Sequence, residues 1–192
     1  MSCHFRNAAI AMGAALLPLA AQAHPGHGTH ASFMQGVLHP LSGWDHLLVL
    51  LCLGALAAGR GARVVSFCGA LLAVALGGGA ALGLAWPAAP FVEPAIMATV
   101  AACLLLLLFR RHINGPALLM LCMTFALVHG VAHGQEAPAG DLAGYFTGFT
   151  LAGVALYGAG LLVPGFVGRF LARAQKGAPI TSRHPGKSPA SR

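Results

Sequence analysis

The chain has 192 residues and a formal net charge of +7, yet only 8% of its side chains are charged and 57% are hydrophobic. A soluble domain carries about a quarter charged residues, so this sequence cannot cover a globular surface with polar groups, and it falls in the membrane class. Nucleic acid is excluded as a partner: aromatic residues are few, and no basic stretch interleaved with aromatics offers bases a stacking surface.

The N-terminus reads as a targeting segment. Arg6 supplies the positive start, residues 8–20 the apolar core, and Ala21-Gln22-Ala23 an A-x-A cleavage site. Pro18 and the shortness of the apolar core suit a signal peptide over 1–23 better than an uncleaved first span. The expected mature chain begins at His24. No cysteine follows that site, so a lipoprotein anchor is not expected. The leader 24–32 carries His24, His27 and His30 at three-residue spacing among glycines. A short histidine tract of this kind can collect a metal ion. It is not the amino-terminal copper/nickel motif, because Gly26 stands third and Pro25 has no N–H to lose.

Five apolar stretches follow, at 33–58, 64–86, 91–109, 116–133 and 142–163. Each is near the ~20 residues that a helix needs to cross the hydrocarbon core. Most are apolar all round, so length rather than periodicity selects helix over strand. Gly77, Gly78 and Gly79 in the second stretch, and Gly144, Gly148, Gly153, Gly158 and Gly160 in the fifth, allow close helix packing. The expected fold is all-α, an integral membrane bundle of about five helices over 33–166. Four cysteines, Cys52, Cys68, Cys103 and Cys122, fall inside the apolar stretches, with no zinc or disulfide spacing. They read as small buried residues.

Basic residues orient the bundle. Arg60 and Arg63 lie between the first two stretches, Arg110 and Arg111 between the third and fourth, and Arg169, Arg173, Lys176, Arg183, Lys187 and Arg192 after the fifth. The other two connections, near 87–90 and 135–141, have no lysine or arginine. The positive-inside rule then places the mature N-terminus outside and the basic tail, 167–192, in the cytoplasm. From Arg169 onward the tail reads as a disordered end near anionic lipid.

The four acids, Asp45, Glu93, Glu136 and Asp141, all fall at or near the outer ends of the stretches, level with His39, His46, His129 and His133. A carboxylate within a membrane span costs roughly 2.5–3.5 kcal/mol on insertion scales, and such residues usually face a bundle interior with a task. In HPLSGWDH, from His39 to His46, the two histidines are seven apart, on similar faces of a helix, and Asp45 is a plausible partner for His46. In FALVHGVAHGQE, from Phe125 to Glu136, His129 and His133 are four apart and share a face if the helix persists. Gly130 and Gly134 permit either close packing or local unwinding, the latter a device by which transporters coordinate ions. Imidazoles with nearby carboxylates suit a divalent transition metal. Glu93, before Pro94, reads equally as an assisting ligand or as an acid favoured by the helix dipole. His112 and His184 read as solvated.

These residues resemble the HupE/UreJ family of hydrogenase and urease accessory proteins, regarded as nickel permeases. The family's HPxxGxDH motif is matched by His39, Pro40, Gly43, Asp45 and His46, with Gly54 at the matching distance. Its HG-containing segment is matched by His129-Gly130, His133-Gly134 and Glu136. The resemblance runs from His24 to about Val167. It implies Ni2+ as the ion, where the residues alone imply a divalent metal, with cobalt, zinc and copper as open alternatives. It also implies supply of urease or hydrogenase maturation, with cytoplasmic nickel chaperones as indirect partners.

The expected function is an inner-membrane permease, with membrane lipid around it and a homo-oligomer admitted. The ion is cargo and no cofactor is expected to be tightly bound. His24, His27 and His30 would capture the ion, and His39, Asp45, His46, His129, His133 and Glu136 would coordinate it, Glu93 assisting. No phosphate-binding GxxxxGK[ST] loop is present, so ATP hydrolysis through a P-loop is not expected. Two rivals stand beside this reading: an intramembrane zinc hydrolase, and a metal-binding accessory that transports nothing.

Overall fold

The computed structural model describes residues 32–86 and 90–177. The expected signal peptide, the leader histidines His24, His27 and His30, and His184 lie outside the described residues. Among those described, every regular element is helical. In chain order they are α1 (Phe33–Ser42), α2 (Trp44–Ala57), α3 (Ala62–Ala85), α4 (Val92–Leu108), a 3-10 turn (Arg110–His112), α5 (Gly115–Gln135), α6 (Leu142–Gly160) and α7 (Val163–Gly177). The expected all-α membrane fold is the fold observed.

The first stretch is not one straight helix. α1 and α2 meet at 83°. α1 starts at Ser32, whose hydroxyl accepts from the Gln35 amide at 3.2 Å. Pro40 lies inside it and Gly43 ends it in an extended conformation. Proline removes a donor from the helix ladder. Two residues on, the last turn closes on the His39 carbonyl, which accepts from the Ser42 hydroxyl at 2.8 Å and the Gly43 amide at 3.3 Å. The break falls inside HPLSGWDH, so the polar motif itself forms the corner.

Among the described residues, three helical runs are long and apolar enough to cross a membrane: α3, α5, and α6 continued through α7 (Leu142–Ala174). The bent α1–α2 pair makes a fourth if it is one span. α4 has 17 residues, about 25 Å at 1.5 Å per residue, short of the ~30 Å hydrocarbon core. The five expected stretches are therefore all helical, but they are unequal.

Helices in lipid gain little from hydrophobic burial against each other and depend on close backbone approach. α3 and α5 form the most extensive pair. Gly79 and Gly83 face Gly130 and Gly134 in parallel register. A Cβ on Gly83 would land on the Val131 carbonyl, and one on Gly134 on the Ala80 carbonyl. α1 meets α6 the same way, through Gly36 and Gly148, and α2 meets α6 through Gly54 and Gly160. α4 packs on α2 and α5. Val49, Leu53, Leu72, Leu76, Leu118 and Phe149, all wholly buried, fill the centre. Cys52, Cys68, Cys103 and Cys122 are free thiols buried in the same core.

The loop after α2 and the loop after α4 meet at one end of the bundle. Arg60 donates to the carbonyl oxygens of Arg110, at 3.1 Å, and Ile113. The tail beyond Gly177 lies outside the described residues. For residues 169–177 the expectation of a disordered tail is corrected, since α7 continues through Gly177. Its sequence is amphipathic: Phe166, Val167, Phe170 and Leu171 alternate with Arg169 and Arg173 at helical spacing, which supports a helix where composition alone suggested coil.

Candidate metal centre

α5 runs unbroken from Gly115 to Gln135, capped by Asn114, whose side chain accepts from the Ala117 amide at 2.9 Å. Local unwinding at Gly130 and Gly134 is therefore corrected: these glycines serve close packing. His129 and His133 consequently share one face. The α1–α2 corner delivers His39 and His46 to that same face.

The four imidazoles form one cluster drawn from three helices. His133 lies at its centre, with its ring centroid 4.5 Å from that of His39 and 4.2 Å from that of His46, the latter pair stacked. His46 and His129 are 4.7 Å apart, edge to face. Phe149 closes the other side of His133 at 3.9 Å. His46, His129 and His133 are 3%, 1% and 0% exposed, whereas the side chains of His39 and Glu136 keep 29% and 30% of their surface. The cluster thus grades from an open rim to a buried interior.

At the rim, His39, His133 and Glu136 each offer one ligand atom, all within 4.8 Å of one another. His39 Nε2 and the Glu136 carboxylate are 3.9 Å apart. An imidazole–imidazole–carboxylate set is a donor combination for a divalent transition ion.

Deeper in, Asp45 lies behind His46. Its Oδ1 accepts from His46 Nδ1 at 2.8 Å. This is the carboxylate–histidine arrangement that fixes ring orientation and tautomer at metal sites and raises ligand basicity. With Nδ1 carrying the proton, Nε2 holds the lone pair. Nε2 is buried with no hydrogen-bond partner among the described residues. An orphan buried polar atom costs about 1–3 kcal/mol, so its burial calls for an explanation. Gly43 makes the pair possible: a Cβ there would stand 2.7 Å from His46 Nδ1 and 2.9 Å from Asp45 Oδ1.

Other acids do other work. Asp141 caps α6, accepting from the Gly144 amide at 2.8 Å. Glu93 is exposed in the first turn of α4 and is not in the rim group. His112 is exposed in the 3-10 turn.

Two residues escaped the sequence reading. Thr99 of α4 is buried and 2.9 Å from His129 Nε2. Tyr145 of α6 is 1% exposed, its ring centroid 6.1 Å from that of His39, and its hydroxyl is buried with no hydrogen-bond partner among the described residues. Neither had a usable signal. A threonine in an apolar helix is commonly satisfied by a carbonyl one turn back, and a lone tyrosine reads as bulk.

Fold and site define a class: a helical membrane protein with a carboxylate-supported polyhistidine cluster, a candidate metal centre, at one end of its bundle. Within that class the sequence matches the family model described as HupE / UreJ protein, over residues 11–186. The chain belongs to the HupE/UreJ family. It is 37% identical over 173 residues to Protein HupE of Rhizobium leguminosarum bv. viciae, covering 87% of this chain and 90% of that one. No solved structure matches.

Proposed function

We propose that this protein is an inner-membrane permease that admits a divalent transition metal, Ni2+ first among the candidates, from the periplasm for hydrogenase or urease maturation. The observation that carries the reading is the graded cluster. His39 and Glu136 stand at a partly open rim, and His133 touches both the rim histidine and the buried His46. An ion held first by His39, His133 and Glu136 has imidazole ligands directly beneath it, so it can exchange ligands inward without regaining its full water shell. A resident catalytic metal calls for a closed ligand set with one open position. A ladder of overlapping, partial sets suits passage better.

Asp45 supports His46 in this scheme, and Glu93 and the leader histidines His24, His27 and His30 assist capture. Family membership supports the accessory role, and the resemblance through HPxxGxDH supports nickel over other ions. An inward-negative potential favours entry of a divalent cation by about 4.6 kcal/mol per 100 mV, twice the single-charge value.

The test is time-resolved 63Ni2+ uptake into liposomes containing the purified protein, with Asp45→Ala beside the wild type. Loss of a supporting carboxylate at a metal-bound histidine typically costs 10–100-fold. Saturable wild-type uptake that falls at least about tenfold in the variant is expected. Wild-type flux no greater than that of empty liposomes, with Ni2+ still bound in detergent, would mean a metal-binding accessory instead.

A further inference from the structure

We propose that Thr99 is a positioning residue of the metal centre: it holds His129 in the tautomer that carries its proton on Nε2 and so makes Nδ1 the ligand atom. The inference rests on the metal-site reading above and goes beyond it to a residue outside both histidine motifs.

The hydrogen bonds decide the assignment. The Thr99 hydroxyl lies 2.7 Å from the Ile96 carbonyl oxygen and 2.9 Å from His129 Nε2. A hydroxyl has one proton and two acceptor lone pairs. The Ile96 carbonyl can only accept. If the proton pointed to His129 instead, two oxygen lone pairs would face each other at 2.7 Å. The proton therefore goes to Ile96, and Thr99 accepts from His129 Nε2–H. In a neutral imidazole the other nitrogen then carries the lone pair. That atom, Nδ1, is buried with no hydrogen-bond partner among the described residues.

The arrangement complements the one at His46. There the carboxylate of Asp45 holds Nδ1–H and leaves Nε2 bare. At His129 a neutral hydroxyl holds Nε2–H and leaves Nδ1 bare. The two rings are 4.7 Å apart, and each ends with one lone pair for an ion. Thr99 comes from α4, which supplies no histidine to the cluster. The short helix α4 thereby contributes to the centre by orienting a ligand.

The test uses the full-length protein, purified metal-free in lipid nanodiscs and labelled with 15N-histidine. His129 signals are identified by their loss in His129→Gln. The wild type is expected to show a protonated Nε2 and a bare Nδ1. Thr99→Val, which keeps shape but not the hydroxyl, should mix the tautomers and weaken Ni2+ binding about tenfold, in the range seen for groups that orient a metal-bound histidine. Thr99→Ser should preserve both tautomer and affinity. A wild-type His129 protonated on Nδ1 would overturn the proposal. So would a Thr99→Val protein whose tautomer is unchanged, or one whose tautomer changes while Ni2+ affinity does not. Should Thr99→Val fail to fold, the wild-type spectrum and Thr99→Ser still decide the assignment. A wild type that shows the Nε2–H imidazole but binds no Ni2+ would overturn the metal-site reading, and Thr99's part in ligation with it. The hydrogen bond alone would stand.

Discussion

In the proposed metal centre, Asp45 and Thr99 act on the imidazoles without needing to touch an ion. Each accepts a proton-bearing nitrogen of a neighbouring imidazole, and each thereby selects which nitrogen is bare. Gly43 belongs to the same machinery for a steric reason. Its backbone, φ −88 and ψ 114, is open to any residue, so alanine is tolerated by the fold. Its Cβ would nevertheless press on both members of the Asp45–His46 pair. Gly43→Ala is therefore expected to insert and melt within about 1 kcal/mol of the wild type while 63Ni2+ uptake drops about tenfold. A thermal melt beside the uptake assay separates the two effects. Equal uptake in both proteins would show that the pair does not depend on the glycine.

At the scale of elements, the α3–α5 pair holds the site's second half in place. His129 and His133 each precede a glycine packed against α3, so the same short segment supplies both the imidazoles and the close approach. Gly83→Ala would set a methyl group against the Val131 carbonyl. Overpacking of this kind costs about 1–3 kcal/mol, and a lower melting temperature in detergent is expected. Gly78, on the same helix, is exposed with open space around its Cβ position. Gly78→Ala should change stability by no more than about 0.5 kcal/mol. If the two variants melt alike, the glycine contact is not what holds α3 to α5. The α1–α2 corner is the other decisive element. The sequence spacing suggested one helix with His39 and His46 on similar faces; the 83° turn instead follows from where α6 receives α1, through Gly36 and Gly148.

Across the whole molecule, chemistry separates by end. One end carries the histidine cluster. The other gathers the Arg60 loop and the loop after α4. Arg60 counted in the sequence only as a charge for orientation. In the fold it also ties these two loops, donating to two carbonyl oxygens at a place where helix-end carbonyls lack partners. Arg60→Ala should destabilise the protein by about 1.5–3 kcal/mol, the usual worth of hydrogen bonds from a charged donor. Arg63→Ala, a charge loss without those bonds, is the control. Matching melts for the two would reduce Arg60 to a charge.

Class, helical composition and the candidate ligands were legible in the chain before any packing was known. Long apolar runs in lipid have little choice but helix, because backbone polar groups must be satisfied within the segment. Histidine and aspartate are too costly in such runs to stand there without a task. HPxxGxDH and the paired HG steps therefore drew attention to these residues and, through resemblance, to the family. How those residues meet is a matter of packing. The 83° corner, the parallel glycine contact of α3 with α5, the capture of His129 by Thr99 and the placing of Asp45 behind His46 depend on which helices approach and at what angle. In nearly uniformly apolar helices no hydrophobic stripe marks the buried face. The packing partner is instead set by small residues and single hydroxyls whose role appears only once the helices are side by side.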